Sequence, residues 1–101
     1  MEKSNCIIDL AKVDTVIDAF NRSRDARSAG SLAGRDVTFD PKRYGHAYAI
    51  IRFPAGTARD TADALYGKLT AMLRKEGFAA TEGLDGEDEG GYFYGVDVNN
   101  G

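Results

Sequence analysis

Residues 44–78 read YGHAYAIIRFPAGTARDTADALYGKLTAMLRKEGF, and this stretch decides the fold class. Its first ten residues, Tyr44 to Phe53, are rich in Tyr and Ile and close on Pro54, which predicts a strand. Side chains alternate across a strand. Ala47, Ala49, Ile51 and Phe53 therefore form a core face, and Tyr44, His46, Tyr48 and Arg52 a partly exposed one. From Ala58 to Glu76 the period changes. Ala62, Leu65, Tyr66, Leu69, Met72 and Leu73 fall on one helical stripe. Thr57 with Asp60 suggests a variant capping box, Arg74 and Lys75 suit the negative helix end, and Gly77 followed by Phe78 predicts a left-handed stop.

Working outward, Val37 and Phe39 suggest a short partner strand, joined through an Asp40-Pro41-Lys42-Arg43 turn. Past the helix, Phe78 to Leu84 and Tyr92 to Val98 read as a hairpin around a glycine-rich acidic turn, Asp85 to Gly91. The N-terminal thirty residues leave two readings open. Leu10, Val13, Ile17 and Phe20 make a helical stripe stopped at Gly30, or Cys6 to Ile8 is a strand feeding a helix capped by Asp14. Gly30 to Gly34 reads as a flexible link. These elements predict one α+β domain over residues 1–101. Its antiparallel sheet would have four to five strands with two helices on one face, in a ferredoxin-like split β-α-β-β-α-β arrangement.

The charge is −3 overall but uneven: −1 over residues 1–40, +4 over 41–81 and −6 over 82–101. A chain that binds nucleic acid non-specifically is usually basic, so direct nucleic-acid binding is the lesser expectation. A single cysteine excludes an internal disulfide framework. The N-terminus lacks a secretion pattern and the apolar runs are too short to span a bilayer, so a cytoplasmic protein with no membrane association is expected.

Three groups of residues are candidate sites. The first is Tyr44, His46, Tyr48 and Arg52. His46 to Phe53 resembles the signature strand of RNA-recognition-motif domains, in which aromatic residues on an open sheet face stack bases. The resemblance implies Tyr48 as a stacker whose loss would leave stability nearly unchanged; Ile50 stands where a second stacking aromatic belongs. The second is the acidic set Glu82, Asp85, Glu87, Asp88 and Glu89. Asp85, Glu87, Glu89 and Gly90 are spaced like the start of an EF-hand loop, but the closing bidentate Glu would fall on Val96, so no metal or cofactor is expected. The third is an arginine cluster, Arg22, Arg24, Arg27 and Arg35. The linker Gly30 to Arg35 lacks the Gly-Lys-Ser/Thr ending of a phosphate loop, and no nucleophile motif accompanies the single His and Cys, so no enzyme is expected.

Small size, acidity and a cluster of carboxylates point to a non-catalytic inhibitor that blocks a basic protein or nucleoprotein complex. In type, though not in sequence, the chain is similar to small phage-encoded inhibitors of host defence such as anti-CRISPR proteins. The alternative expectation is an RNA- or single-strand-binding domain using the aromatic sheet face.

Overall fold

A computed structural model describes residues 8–100. Eight elements follow in order: α1 (Leu10–Arg22), α2 (Arg24–Ala29), β1 (Leu32–Arg35), α3 (Pro41–Tyr44), β2 (Ala47–Arg52), α4 (Arg59–Lys75), β3 (Ala79–Asp88) and β4 (Gly91–Asn99). The strands form one antiparallel sheet in the order β1-β2-β4-β3.

The alternation read in β2 gives Ala47, Ala49, Ile51 and the following Phe53 to the core, all essentially inaccessible. Tyr94, Val96 and Val98 of β4 lie on the same face, being paired with Ile51, Ala49 and Ala47. Above them pack Val13, Val16, Ile17 and Phe20 of α1 and Ala62, Leu65, Leu69 and Leu73 of α4. Two long helices, α1 and α4, thus cover one sheet face, while the short α3 touches β2 and its Tyr44 joins a cluster with Phe39, His46 and Tyr48 on the other.

The chain order departs from the ferredoxin-like expectation. In that arrangement the first strand sits inside the sheet. Here α1 comes first among the described residues, and the inner position between β2 and β3 is taken by β4. Ile8 is buried but precedes α1 without joining a strand, while Cys6 and Ile7 lie outside the described residues. Asp9, not Asp14, caps α1 by accepting from the Lys12 backbone N–H at 3.1 Å.

The partner strand of β2 is also not where the hydrophobic pattern put it. Val37 is exposed in a turn, and the presumed link at residues 30–34 supplies β1 instead. Propensity argues against a strand through Ala-Gly, but a side-chain clamp overrides it. Asn21 donates to the Ala33 carbonyl and accepts from the Ala33 N–H, both at 2.8 Å, which ties the outer rim of β1 to α1. That clamp also satisfies backbone groups that an edge strand would otherwise offer to another sheet.

Two boundaries move for local reasons. Asp40 accepts from the Lys42 N–H at 3.0 Å with Pro41 in the first helical position, so residues 41–44 make one helical turn and Tyr44 leaves the strand. Thr57 does not cap α4, because its hydroxyl donates to the Pro54 carbonyl at 2.6 Å; the cap position is Ala58, with no side-chain bond. The C-terminal stop is as read. Gly77 has φ +95°, and the buried Phe78 turns back to donate its N–H to Leu73 at 3.2 Å. No helix among the described residues is long and apolar enough to cross a membrane.

Candidate functional site

The acidic residues do not crowd a hairpin tip. Strand β3 continues through Asp88, so the turn is only Glu89-Gly90 and the carboxylates line the free edge of the sheet. Beyond Ala80 every residue of β3 is exposed except the half-buried Gly83 and Gly86. The register slips between Glu82 and Asp85, an irregularity of the bulge kind. Glu82 pairs with Val96, Asp85 with Tyr94 and Glu87 with Tyr92. Directly paired residues share a face, so all three point to the helix side of the sheet. In a regular strand, residues three apart such as Glu82 and Asp85 would point to opposite sides. Val96, where an EF-hand loop would close, is buried in the core.

Tyr48 holds the slip in place. Its hydroxyl accepts from the Leu84 N–H at 2.9 Å and donates to the Leu84 carbonyl at 3.3 Å. The ring crosses β4 over Gly95, where a Cβ would collide with the phenol oxygen, and reaches Gly83, where a Cβ would lie 2.7 Å from Tyr48 Cε1. The side chain read as a base stacker is thus a strut across three strands. Tyr48→Ala is expected to cost about 1–3 kcal/mol, from lost packing and from two backbone groups losing their partner. An unchanged melting temperature in Tyr48→Ala would show that the strut carries no weight.

The remaining members of the aromatic group sit at one end of the open face. Phe39 stacks on Tyr44 with centroids 4.7 Å apart and lies 5.1 Å from His46 and 5.7 Å from Tyr48. Tyr44 is half exposed, with the Arg43 guanidinium 5.5 Å from its ring centroid. The buried Nδ1 of His46 lies 3.5 Å from Asp97 Oδ1 without hydrogen-bond geometry. Arg52 stands apart from this cluster. It lies over the Phe93 ring at 5.2 Å and bridges Asp88 at 3.1 Å. That bond, with one from the Gly90 N–H, holds the Asp88 carboxyl below its ordinary range. The structure thus separates the five acidic candidates. Asp88 is neutralised on the open face, whereas Glu82, Asp85, Glu87 and Glu89 form no ion pair among the described residues.

Glu82 and Asp85 also line a small cleft of about 120 Å³ with Arg59, Asp63, Tyr66, Tyr94 and Gly95. Arg59, Asp63 and Tyr66 follow one face of α4 at helical spacing, a pattern visible in the sequence but hidden there behind the apolar stripe. The Tyr94 hydroxyl donates to Asp63 at 2.8 Å, and its ring meets Tyr66 edge-on at 5.3 Å. Burial pushes the Tyr66 phenol up, and the charge of Glu82 adds to this. Burial, then the bond to Asp63, pushes Tyr94 up to about 12. The unfolded chain would release this proton near pH 10 while the folded chain keeps it. The bonus is therefore complete below pH 10 and lost as pH rises from about 10 to about 12, a fall of up to about 3 kcal/mol. Stability measured across that range should fall less steeply in Tyr94→Phe; identical slopes would remove Tyr94 as the cause.

No family model, curated protein or solved structure matches the chain. Among the described residues, no group of three or more His, Cys, Asp or Glu side chains is placed to hold a metal ion. The arrangement offers instead a row of exposed carboxylates along β3 and its turn, of which only Asp88 forms an ion pair among the described residues. From Glu82 to Asp88, where β3 ends, an extended strand spans roughly 20 Å at about 3.3 Å per residue.

Proposed function

We propose that this protein is a non-catalytic, cytoplasmic inhibitor. It would lay the acidic edge of β3 into a basic groove of a protein or nucleoprotein complex and thereby block it. The observation that carries this reading is a contrast along β3 and its turn: Asp88 pairs with Arg52, while Glu82, Asp85, Glu87 and Glu89 form no ion pair among the described residues. Uncompensated like charges repel one another and add nothing to folding. Ranged along a strand, they present negative charge at intervals suited to a groove that receives phosphates. A charged edge also discourages sheet-to-sheet aggregation, but one or two lysines would serve that purpose equally well. Similarity in type to phage-encoded anti-defence proteins belongs to this same proposal.

The alternative, direct single-strand binding through the aromatic face, draws support from the exposed Tyr44 beside Arg43. Against it stand the engagement of Tyr48 and the presence of Asp88 and Asp97 on that same face.

The test is a triple variant, Glu82→Gln, Asp85→Asn and Glu87→Gln, which spares the Arg52–Asp88 bridge. A partner captured on the wild-type chain from a nuclease-treated extract should associate about tenfold or more slowly with the variant at low salt, and with a flatter salt dependence. Stability should hold or rise slightly. An unchanged association rate would reduce the edge to a solvated strand, and capture abolished by nuclease would favour the aromatic face.

A further inference from the structure

The arginines at the opposite side of the sheet belong to neither the core nor the acidic edge. Arg35, grouped with them in the sequence, is drawn off by Asp14, to which it donates at 2.9 and 3.3 Å. Arg22, Arg24, Arg27 and Ser28 remain together and line one open depression of about 400 Å³ where α1 breaks into α2. The break is fixed by Ser23, which leaves the helical conformation, donates to the Phe20 carbonyl at 2.6 Å and caps α2 by accepting from the Ala26 N–H at 3.4 Å. Without this break the helix would run on and the three arginines would not share a hollow.

Counter-charge does not explain the cluster. Asp18 holds Arg22 at 2.7 Å, but Arg24 and Arg27 form no ion pair among the described residues. The neighbouring acid, Asp25, faces the other way toward Lys68 at 3.8 Å. Helix dipoles explain only part of it. Arg22 and Arg27 lie in last turns, where positive charge is favourable, but Arg24 is the first residue of α2, where it is unfavourable. Three exposed arginines and a serine lining one open surface depression match ligands carrying several oxyanions close together. A guanidinium donates two parallel hydrogen bonds to a phosphate, a geometry that an ammonium lacks.

We infer that Arg22, Arg24, Arg27 and Ser28 form a binding site for closely spaced phosphates, supplied either by a free polyphosphate or by consecutive phosphodiesters of a nucleic-acid strand. The site is independent of the acidic edge, and Asn21, one residue before it, fixes α1 to β1.

Calorimetric titration of the full chain at low ionic strength tests this with two probes, sodium tripolyphosphate and an unphosphorylated oligothymidylate. Wild type should bind at least one of them at a single site, and Arg24→Gln/Arg27→Gln should weaken that binding by about tenfold or more. Lys75→Gln, which removes a positive charge from the end of α4, should leave it unchanged. Tighter binding of the oligonucleotide assigns the site to a strand backbone; tighter binding of tripolyphosphate assigns it to a free ligand. Circular dichroism checks the fold of the double variant, and the single Arg24→Gln, expected to weaken binding severalfold, serves if the double variant unfolds. Absence of binding by both probes at millimolar concentration overturns the proposal. So does equal weakening by Lys75→Gln, or equally tight binding of an oligoglutamate peptide.

Discussion

Gly91→Ala is expected to destabilise the fold by at least about 3 kcal/mol. Gly91 opens β4 with φ +120°, a conformation that residues with a Cβ rarely adopt. A Cβ there would collide with the Phe53 carbonyl oxygen and lie 2.7 Å from both Pro54 C and Ala55 N. All three are backbone atoms, so no rotamer change relieves the contact. Either β4 separates from the end of β2, breaking the 2.9 Å bond from the Phe53 N–H to the Tyr92 carbonyl, or the 53–55 segment moves. Gly90→Ala is the matched control. Its added Cβ would meet only Asp88 Oδ1 at 3.3 Å, the end of a movable side chain, so its cost should stay below about 1 kcal/mol. Denaturant titrations of the two variants decide the point: equal losses would mean that the close passage of residues 53–55 over Gly91 does not constrain the hairpin.

Leu69→Ala should cost about 2–5 kcal/mol. Leu69 is wholly inaccessible at the middle of α4, among the side chains that α4 and α1 lay on the sheet. The helix cannot sink into the space left behind, because Leu65 and Leu73 on either side are buried in the same contact. Truncating Leu84, which is 73% exposed on β3, should cost less than about 0.5 kcal/mol. A midpoint shift in urea for Leu69→Ala no larger than that for Leu84→Ala would remove this face of α4 from the core. The pair also separates stability from recognition, since Leu84 lies among the acidic residues proposed to meet a partner.

These effects bear on the acidic edge through geometry. Gly91 sets where β4 begins and so where Glu87 and Asp88 are paired. Tyr48 holds the slip that brings Glu82 and Asp85 to one side. Tyr48→Phe keeps the ring and loses the hydroxyl, so it should loosen the register at a smaller stability cost than Tyr48→Ala, about 1 kcal/mol.

The sequence by itself determined what depends on neighbours along the chain. The alternation from Ala47 to Phe53 named the buried face of the central strand, and the helical stripe named Leu65, Leu69 and Leu73. Gly77 and Phe78 marked the end of α4, because a left-handed glycine and the apolar residue after it act within one turn. The tertiary structure alone decided what depends on residues far apart. β1 forms in a stretch with little strand propensity because Asn21, twelve residues earlier, grips both backbone groups of Ala33. The C-terminal strand takes an inner place in the sheet because its Val96 and Val98 bury against two helices, a choice among pairings to which local pattern is blind. Tyr48 looked free because alternation gives a side chain's face and not its reach. Its hydroxyl crosses β4, above a glycine, to a carbonyl thirty-six residues away. Charge was legible as composition, but which carboxylates find a partner was not: Asp88 meets Arg52 only because the sheet brings them to the same face, whereas Glu82, Asp85, Glu87 and Glu89 form no ion pair among the described residues.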